Sequence, residues 1–566
     1  MSKQSNHADI VLINGFIYTV NAEDTIAEAL AIKDGLIEAV GSDDRIKPLV
    51  GPATRVFDLE GKMVLPGMID SHLHPPAAKM MQSSVIYLSN IDSREKVLQT
   101  VEEFIKQNPG FQAYFGWGWT INLFEGEERN LGPKKETLDQ ICFDCPITLQ
   151  SNDGHSIWAN SKALELAGLT ASTPDPKGGI IVKNPTNGEL WGTLTGTARN
   201  LLTTQTFTTE QLLQAVKSFQ KFMHSLGYTA FFSAGSKPEK LQEIFRALEK
   251  NGELKIWVRD SKRISIDVHE TPEEQIQELF NLSGEYNTEL YQINAAKIFI
   301  DGVVEAGTAR LLDPYEESLG MGPDHYGIYY WDDMEALVKT IVDANRLGIQ
   351  VHIHSIGDRA TRDALDAFEQ ALIKAPGEHR NIITHLQLVH PDDLKRFKKL
   401  GVIANVQPYW HVKKPGWWYE VEYANIGKRA ENEYPLRSLA NAGALITTSS
   451  DYPVVETPDP LWAIKTGITR SFYNSEHNNL DAINYIDDET CLLNKNERVS
   501  LKEMIRSLTF NNAYALFIDN KTGSIESGKY ADLVVLSENL FELSPFEIDK
   551  AKVCKTFFHG EIVYEA

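Results

Sequence analysis

The segment Met63-Val64-Leu65-Pro66-Gly67-Met68-Ile69-Asp70-Ser71-His72-Leu73-His74 ends an apolar, β-rich run in two histidines spaced i, i+2. On an extended strand those side chains leave the same face. His72 and His74 can therefore offer two imidazoles to one divalent cation, and Asp70 shares their parity. A His-x-His pair alone arises often by chance, so its meaning depends on further ligands elsewhere. Four later segments supply them, each where an apolar run stops: Lys297 in Ala295-Ala296-Lys297-Ile298-Phe299-Ile300-Asp301, His354 in Val351-His352-Ile353-His354-Ser355, His385 in Ile383-Thr384-His385, and Asp451 in Thr448-Ser449-Ser450-Asp451-Tyr452-Pro453. A lone histidine is more often a satisfied core residue, but metal-competent or acid/base groups at five strand ends are not a chance pattern. Imidazole and carboxylate oxygen suit zinc, with manganese, iron, cobalt or nickel as alternatives. A site of this kind activates water for attack on a carbonyl.

Other residues carry two readings each. His155, in Asp153-Gly154-His155, either reaches a substrate or caps local backbone in a turn. His411 follows an apolar run in Gln407-Pro408-Tyr409-Trp410-His411 and either polarises the scissile carbonyl or packs. His352 shares the face of His354 and is an alternative ligand at a deeper level. Asp301 and Asp358 read as turn or supporting positions. The aromatic groups Trp117/Trp119 and Trp410/Trp417/Trp418 either cage an apolar substrate or fill cores. Cys142-x-x-Cys145 is half of a zinc-knuckle pattern without a second pair, and is read as packing.

The elements that must position these groups alternate strand-like and helix-like. Strands are expected ending near Asp70 and at Thr229–Ala234, Lys255–Arg259, Ala295–Ile300, Gln350–His354, Asn381–His385, Val402–Gln407 and Leu445–Ser449. Amphipathic stretches such as Met334–Leu347, Ala360–Ile373 and Pro391–Leu400 lie between them. Eight strands with intervening helices are the count of an α/β, TIM-like (β/α)8 barrel, whose chemistry sits at the C-terminal strand ends. Residues 1–62 and 520–566 are both β-rich and turn-punctuated, as the two parts of one β-sandwich would be. Residues 63–75 read as the first barrel strand, 76–225 as an inserted subdomain too long for one crossover, and 226–519 as the remainder of the barrel.

At 566 residues the chain exceeds one simple core. A net charge of −23 disfavours nucleic acid and anionic membrane as partners and leaves a small-molecule substrate. No apolar run reaches the length of a membrane span. Four cysteines and an N-terminal segment without the apolar core of a signal peptide fit a cytoplasmic location. A homodimer is the default for a large enzyme.

Nearly the whole chain resembles the amidohydrolase superfamily, specifically the family-3 branch that includes N-substituted formamide deformylases. The marks are Pro66-Gly-Met-Ile-Asp-Ser-His-Leu-His74, Asp153-Gly-His155 with Ala159-Asn-Ser-Lys-Ala-Leu164, Lys297-Ile-Phe-Ile-Asp-Gly302, His354-Ser-Ile-Gly-Asp-Arg-Ala360, Tyr434-Pro-Leu-Arg-Ser-Leu439, Ser450-Asp451-Tyr-Pro453 and Gly523-Ser-Ile-Glu-Ser-Gly-Lys-Tyr-Ala-Asp-Leu533. The resemblance implies a metal-dependent barrel in which His72 and His74 hold the more buried cation and His354 and His385 a second. It implies that Lys297 bridges them as a carbamate and that Asp451 contacts the first cation and manages protons. One or two zinc ions per chain and hydrolysis of a non-peptide carbon–nitrogen bond, in an amide or formamide, follow as expectations. Ester or lactone hydrolysis and deamination suit the same site, while a non-catalytic scaffold would be expected to lose ligands, and none is missing. This chain departs from many relatives at Thr384, where they carry glutamate, and at Pro75-Pro76 after His74.

Overall fold

The computed structural model describes residues 7–75, 85–89, 91–109, 111, 113–152, 156–176, 179–202, 209–235, 240–266, 270–317, 320–331, 333–415, 417–472 and 489–566. The chain divides into two compact units, one of Met1–Pro75 with Phe219–Ala566 and one of Pro76–Ser218.

The larger unit is built on eight parallel strands: β1 Met68–Leu73, β2 Tyr228–Ser233, β3 Trp257–Arg263, β4 Tyr291–Phe299, β5 Gln350–Ser355, β6 Ile382–His385, β7 Ile403–Val406 and β8 Ile446–Thr448. Each pairs with its sequence neighbour, in the order β1 to β8. Bonds between the first and eighth segments close the ring: Asp451 N donates to His72 O (2.8 Å), His74 N to Tyr452 O (2.8 Å) and Ser71 Oγ to Thr448 O (3.2 Å). These strands are buried on both faces, as parallel strands covered by helices must be. The eight expected strand segments are the eight barrel strands, and the fold is α/β and TIM-like.

The helices form where the amphipathic pattern predicts. Met334–Arg346 starts at Asp333, whose carboxylate accepts from Ala336 N (2.9 Å), and buries Leu337, Val338 and Ile341. Asp358–Lys374 buries Ala360, Ala364, Leu365 and Phe368. Pro391–Leu400 is shorter than expected as an α-helix, because Pro391 opens a 3-10 turn and the α-helix runs only over Leu394–Leu400.

The segment expected to be one barrel strand at 63–75 is two strands. Met63–Pro66 joins a six-stranded sheet, pairing antiparallel with Leu533–Leu536 and parallel with Phe16–Tyr18, while only Met68–Leu73 enters the barrel. Gly67 makes the crossing, its N–H donating to Asp532 O (2.8 Å). This sheet also holds Ile26–Ala27, Val553–Phe558 and Glu561–Glu565. It packs on a four-stranded sheet of Ile10–Ile13, Ala29–Lys33, Leu36–Gly41 and Arg55–Asp58. Leu12, Ile17, Leu30, Val64, Leu533, Val535 and Phe557 share one buried core drawn from both ends of the chain.

The smaller unit has its own six-stranded sheet, ordered Gly179–Lys183, Leu190–Gly196, Ser156–Ala159, Ile147–Ser151, Tyr114–Trp119 and Ile86–Tyr87. Its core takes Trp119, Phe124 and Trp158 in edge-to-face contacts. Cys142 and Cys145, read as a packing pair from the sequence, form a disulfide here. Asn160 Nδ2 donates to the carbonyls of Cys142 (3.0 Å) and Cys145 (2.8 Å), which draws the two residues into one tight turn. Among the described residues no helix is long and apolar enough to cross a membrane.

Candidate metal centre

The barrel brings the candidate residues together because they occupy corresponding levels on neighbouring strands. Lys297 on β4 is in register with His352 on β5, Phe299 with His354, and Ser355 with His385 on β6. His72 is the penultimate residue of β1, His74 lies just past its end, and Asp451 lies just past β8, tied to β1 by the closing bonds. His72, His74 and Asp451 place one ligand atom each within 4.8 Å of one another. Asp451 Oδ1 lies 3.4 Å from His72 Nε2 and 3.1 Å from His74 Nε2, without a regular hydrogen bond among the described residues. The His385 ring sits 5.1 Å from that of His72 and 4.5 Å from that of His354. His385 and Asp451 are non-glycine residues with φ of +80° and +58°. Such backbone costs about 1–3 kcal/mol each and persists where the surroundings hold it; here Leu386 N to Ser355 O (3.0 Å) and Asp451 N to His72 O (2.8 Å) do so.

Each imidazole is oriented from behind. His72 Nδ1 lies 2.8 Å from His352 Nε2. The sequence leaves His352 and His354 as alternatives; in the fold His352 is the deeper support beneath His72, against Phe232, while His354 stands beside His385. His354 Nε2 donates to Gly302 O (3.0 Å), leaving Nδ1 as its lone pair. The carboxylate of Asp301, 3.8 Å from His354 Nε2, accepts from the N–H groups of Arg310, Ile356 and Gly357 and so ties the β4 and β5 loops together. His385 Nδ1 faces Gln407 Oε1 at 3.0 Å. The Gln407 amide cannot easily turn over, because its Nε2 donates to Ser449 Oγ (2.7 Å), Asn405 Oδ1 (2.9 Å) and Thr384 Oγ1 (3.2 Å). His385 therefore carries its hydrogen on Nδ1 and points Nε2 the other way.

Sequence reasoning missed Gln407 and its network. A signal was present: Asn405 and Gln407 put two amides at i, i+2 on a strand otherwise apolar. Thr384, the departure from relatives with glutamate, is part of that network, donating to Asn405 Oδ1 (2.7 Å).

Burial sets the protonation states. It pushes the imidazoles of His72, His352 and His385 well below their usual range and that of His354 to about 3, with Lys297 adding to each shift. All are neutral and able to offer a lone pair. Burial would raise the Asp451 carboxyl, but the contact with His74 and the Lys297 charge pull it below the ordinary value, so it is ionised. The Lys297 amine, fully buried, is brought down to about 7 by desolvation, against the pull of Asp451. Its Nζ has no hydrogen-bond partner among the described residues. Neutral imidazoles, an ionised carboxylate and an unpartnered buried amine are a donor set that fits a divalent cation.

Other expected residues stand apart. His411 is buried and stacked on Tyr434, with ring centroids 4.5 Å apart and both ring nitrogens unpartnered among the described residues. His155 lies outside the described residues. Trp410 stacks on His385 at 5.9 Å and packs against the buried cluster that holds Trp418, whereas Trp417 is exposed and Trp119 fills the core of the smaller unit. Asp358 accepts from Leu312 N (2.8 Å) and Arg359 N (2.9 Å), the role of a turn residue.

The profile described as "Amidohydrolase family" matches residues 55–564 of this chain. YtcJ of Bacillus subtilis (strain 168) is 31% identical over 564 residues, covering 97% of this chain and 98% of YtcJ. The N-substituted formamide deformylase of Arthrobacter pascens is 26% identical, with 98% of each chain covered. Among solved structures, an uncharacterized metal-dependent hydrolase from Pyrococcus horikoshii OT3 superposes with a TM-score of 0.73 at 25% identity, covering 95% of this chain and 99% of that one.

Proposed function

The chain belongs to the amidohydrolase family, and from that premise we propose that it hydrolyses a non-peptide carbon–nitrogen bond in a small amide or formamide, with a divalent cation, zinc by preference. The observation that carries this reading is the cluster of His72, His74 and Asp451 with the buried, unpartnered Lys297 amine and the neutral His354 and His385 beside it. The deformylase relative supports the bond class.

His72, His74 and Asp451 would hold one cation, and His354 and His385 a second. Lys297 would join them after its neutral amine adds to carbon dioxide, forming a carbamate and releasing one proton. Bound there, the metal supplies Lewis acidity, which makes water nucleophilic near neutral pH and polarises a carbonyl. Asp451 takes the proton from the attacking water and returns it to the leaving nitrogen as the carbon–nitrogen bond breaks. His352 and Gln407 keep His72 and His385 in the required tautomers throughout.

A panel of formamides, N-acyl amides, carbamates and esters tests the reading. Amide or formamide turnover is expected, falling by at least about 10³-fold on chelation or in the double variant His72→Ala/His74→Ala, because the activated water is lost. Ester turnover with every amide inert would overturn the bond assignment, and full activity in the double variant would overturn the metal mechanism.

A further inference from the structure

Arg263 ends β3, and its register partner on β4 is Lys297. A Cβ built on Gly235 would lie 3.4 Å from Lys297 Cβ and 3.6 Å from Arg263 Cβ, so the two side chains start from the same side of the sheet. Phe299, two residues beyond Lys297 on the same face, is their common platform. The Arg263 guanidinium carbon lies 4.9 Å from the Phe299 ring centroid and Lys297 Nζ lies 4.8 Å from it. The same ring is 4.9 Å from the ring of His354. The Phe299 ring thus touches Arg263 as well as Lys297 and His354 of the candidate metal centre, a span that one small molecule bridges.

Lys297 is buried, while Arg263 is exposed and makes no ion pair or hydrogen bond with any described residue. That is unusual company in this chain, which carries 78 acidic and 55 basic residues. Arg380, Arg396, Arg437 and Arg506 each hold a carboxylate. A guanidinium stacked on an aromatic ring keeps its edge free, and that edge presents parallel N–H groups matched to a carboxylate.

We propose that Arg263 binds a carboxylate carried by the substrate, so that the preferred amides are anionic, with the carboxylate a few bonds from the scissile bond. This rests on the amide-hydrolase reading of the adjacent centre. The carboxylate pairs with the outer edge of the guanidinium, Phe299 covers the apolar stretch between, and the scissile group reaches the side of the ring where Lys297 and His354 stand. Attraction at an exposed site weakens with salt, so the preference falls as ionic strength rises.

The test uses the full-length protein treated with chelator, so that no cation competes for carboxylate, and two probes of one shape: hippurate, which is anionic, and hippuramide, which is neutral. Ligand-observed NMR titration reads both affinities. Hippurate is expected to bind about tenfold more tightly than hippuramide, a margin suited to one charge-assisted pair. Arg263→Ala should erase the margin, Arg263→Lys should keep part of it, and hippuramide binding should change little. Equal affinities, a margin that survives in Arg263→Ala, or binding of neither probe would overturn the proposal. Turnover of the amide panel is scored separately on metal-loaded protein. Hippurate binding through Arg263 without amide turnover would keep the anion site and remove the hydrolase reading.

Discussion

At His385, a proposed metal ligand, the ring is oriented by one amide behind it. Gln407 Oε1 faces Nδ1, and the contacts of Nε2 with Asn405 Oδ1, Ser449 Oγ and Thr384 Oγ1 favour that orientation of the amide. Gln407→Leu removes that acceptor at similar volume. It is expected to weaken metal affinity and kcat/KM by about 10–100-fold, the usual effect of losing a partner behind a liganding histidine. Competition with a chromogenic chelator measures the first and steady-state kinetics the second; unchanged values in both would remove Gln407 from the account. The liganding candidates were legible in the sequence because their signals are local: His-x-His on a strand, and a polar group where an apolar run stops. Gln407 was not. Its partner His385 is 22 residues away, and the contact exists only because β6 and β7 lie side by side. The role of His352 was hidden in the same way, because it becomes a support only through its neighbour on β1, whereas Asp301 is the supporting residue its sequence position suggests.

Between elements, the crossing at Gly67 carries the most exacting constraint. The chain leaves the sandwich sheet at Pro66 and enters the barrel at Met68 with one residue to spare. A Cβ on that residue would overlap the Thr229 side chain on β2. Gly67→Ala is expected to cost roughly 1–3 kcal/mol, as overpacking does. Thr229→Ala should recover part of it, because it removes the two atoms in closest overlap and leaves only Cβ at 2.8 Å, and Thr229 Oγ1 is buried without a partner among the described residues. A double-mutant cycle in thermal or chemical unfolding checks this; additive costs without rescue would contradict the steric account. The strands and helices here were legible from apolar runs and amphipathic periods. The break at Gly67 was not, because Met63–Leu73 is apolar almost throughout and periodicity cannot say which sheet each half joins. The Cys142–Cys145 bond was missed for a related reason. Spacing alone does not distinguish a packed pair from a bonded one; the turn drawn in by Asn160 does.

For the whole molecule, the first and last strands of the barrel meet at the candidate metal centre. The bonds that close the ring, Asp451 N to His72 O and His74 N to Tyr452 O, are also those that set the His72–His74–Asp451 triad. The sandwich, pairing Val64 with Val535, joins segments from both ends of the chain directly before β1. On the proposal made above, this closed ring presents a metal-dependent hydrolytic site. Elemental analysis of protein grown with added zinc and purified without chelators tests it most directly, with the His72→Ala/His74→Ala protein alongside. About one to two equivalents of metal per chain are expected in the native protein, with metal and amide turnover both collapsing in the variant. Metal-free native protein that still turns over amides, or a variant that keeps its full metal content and activity, would contradict it.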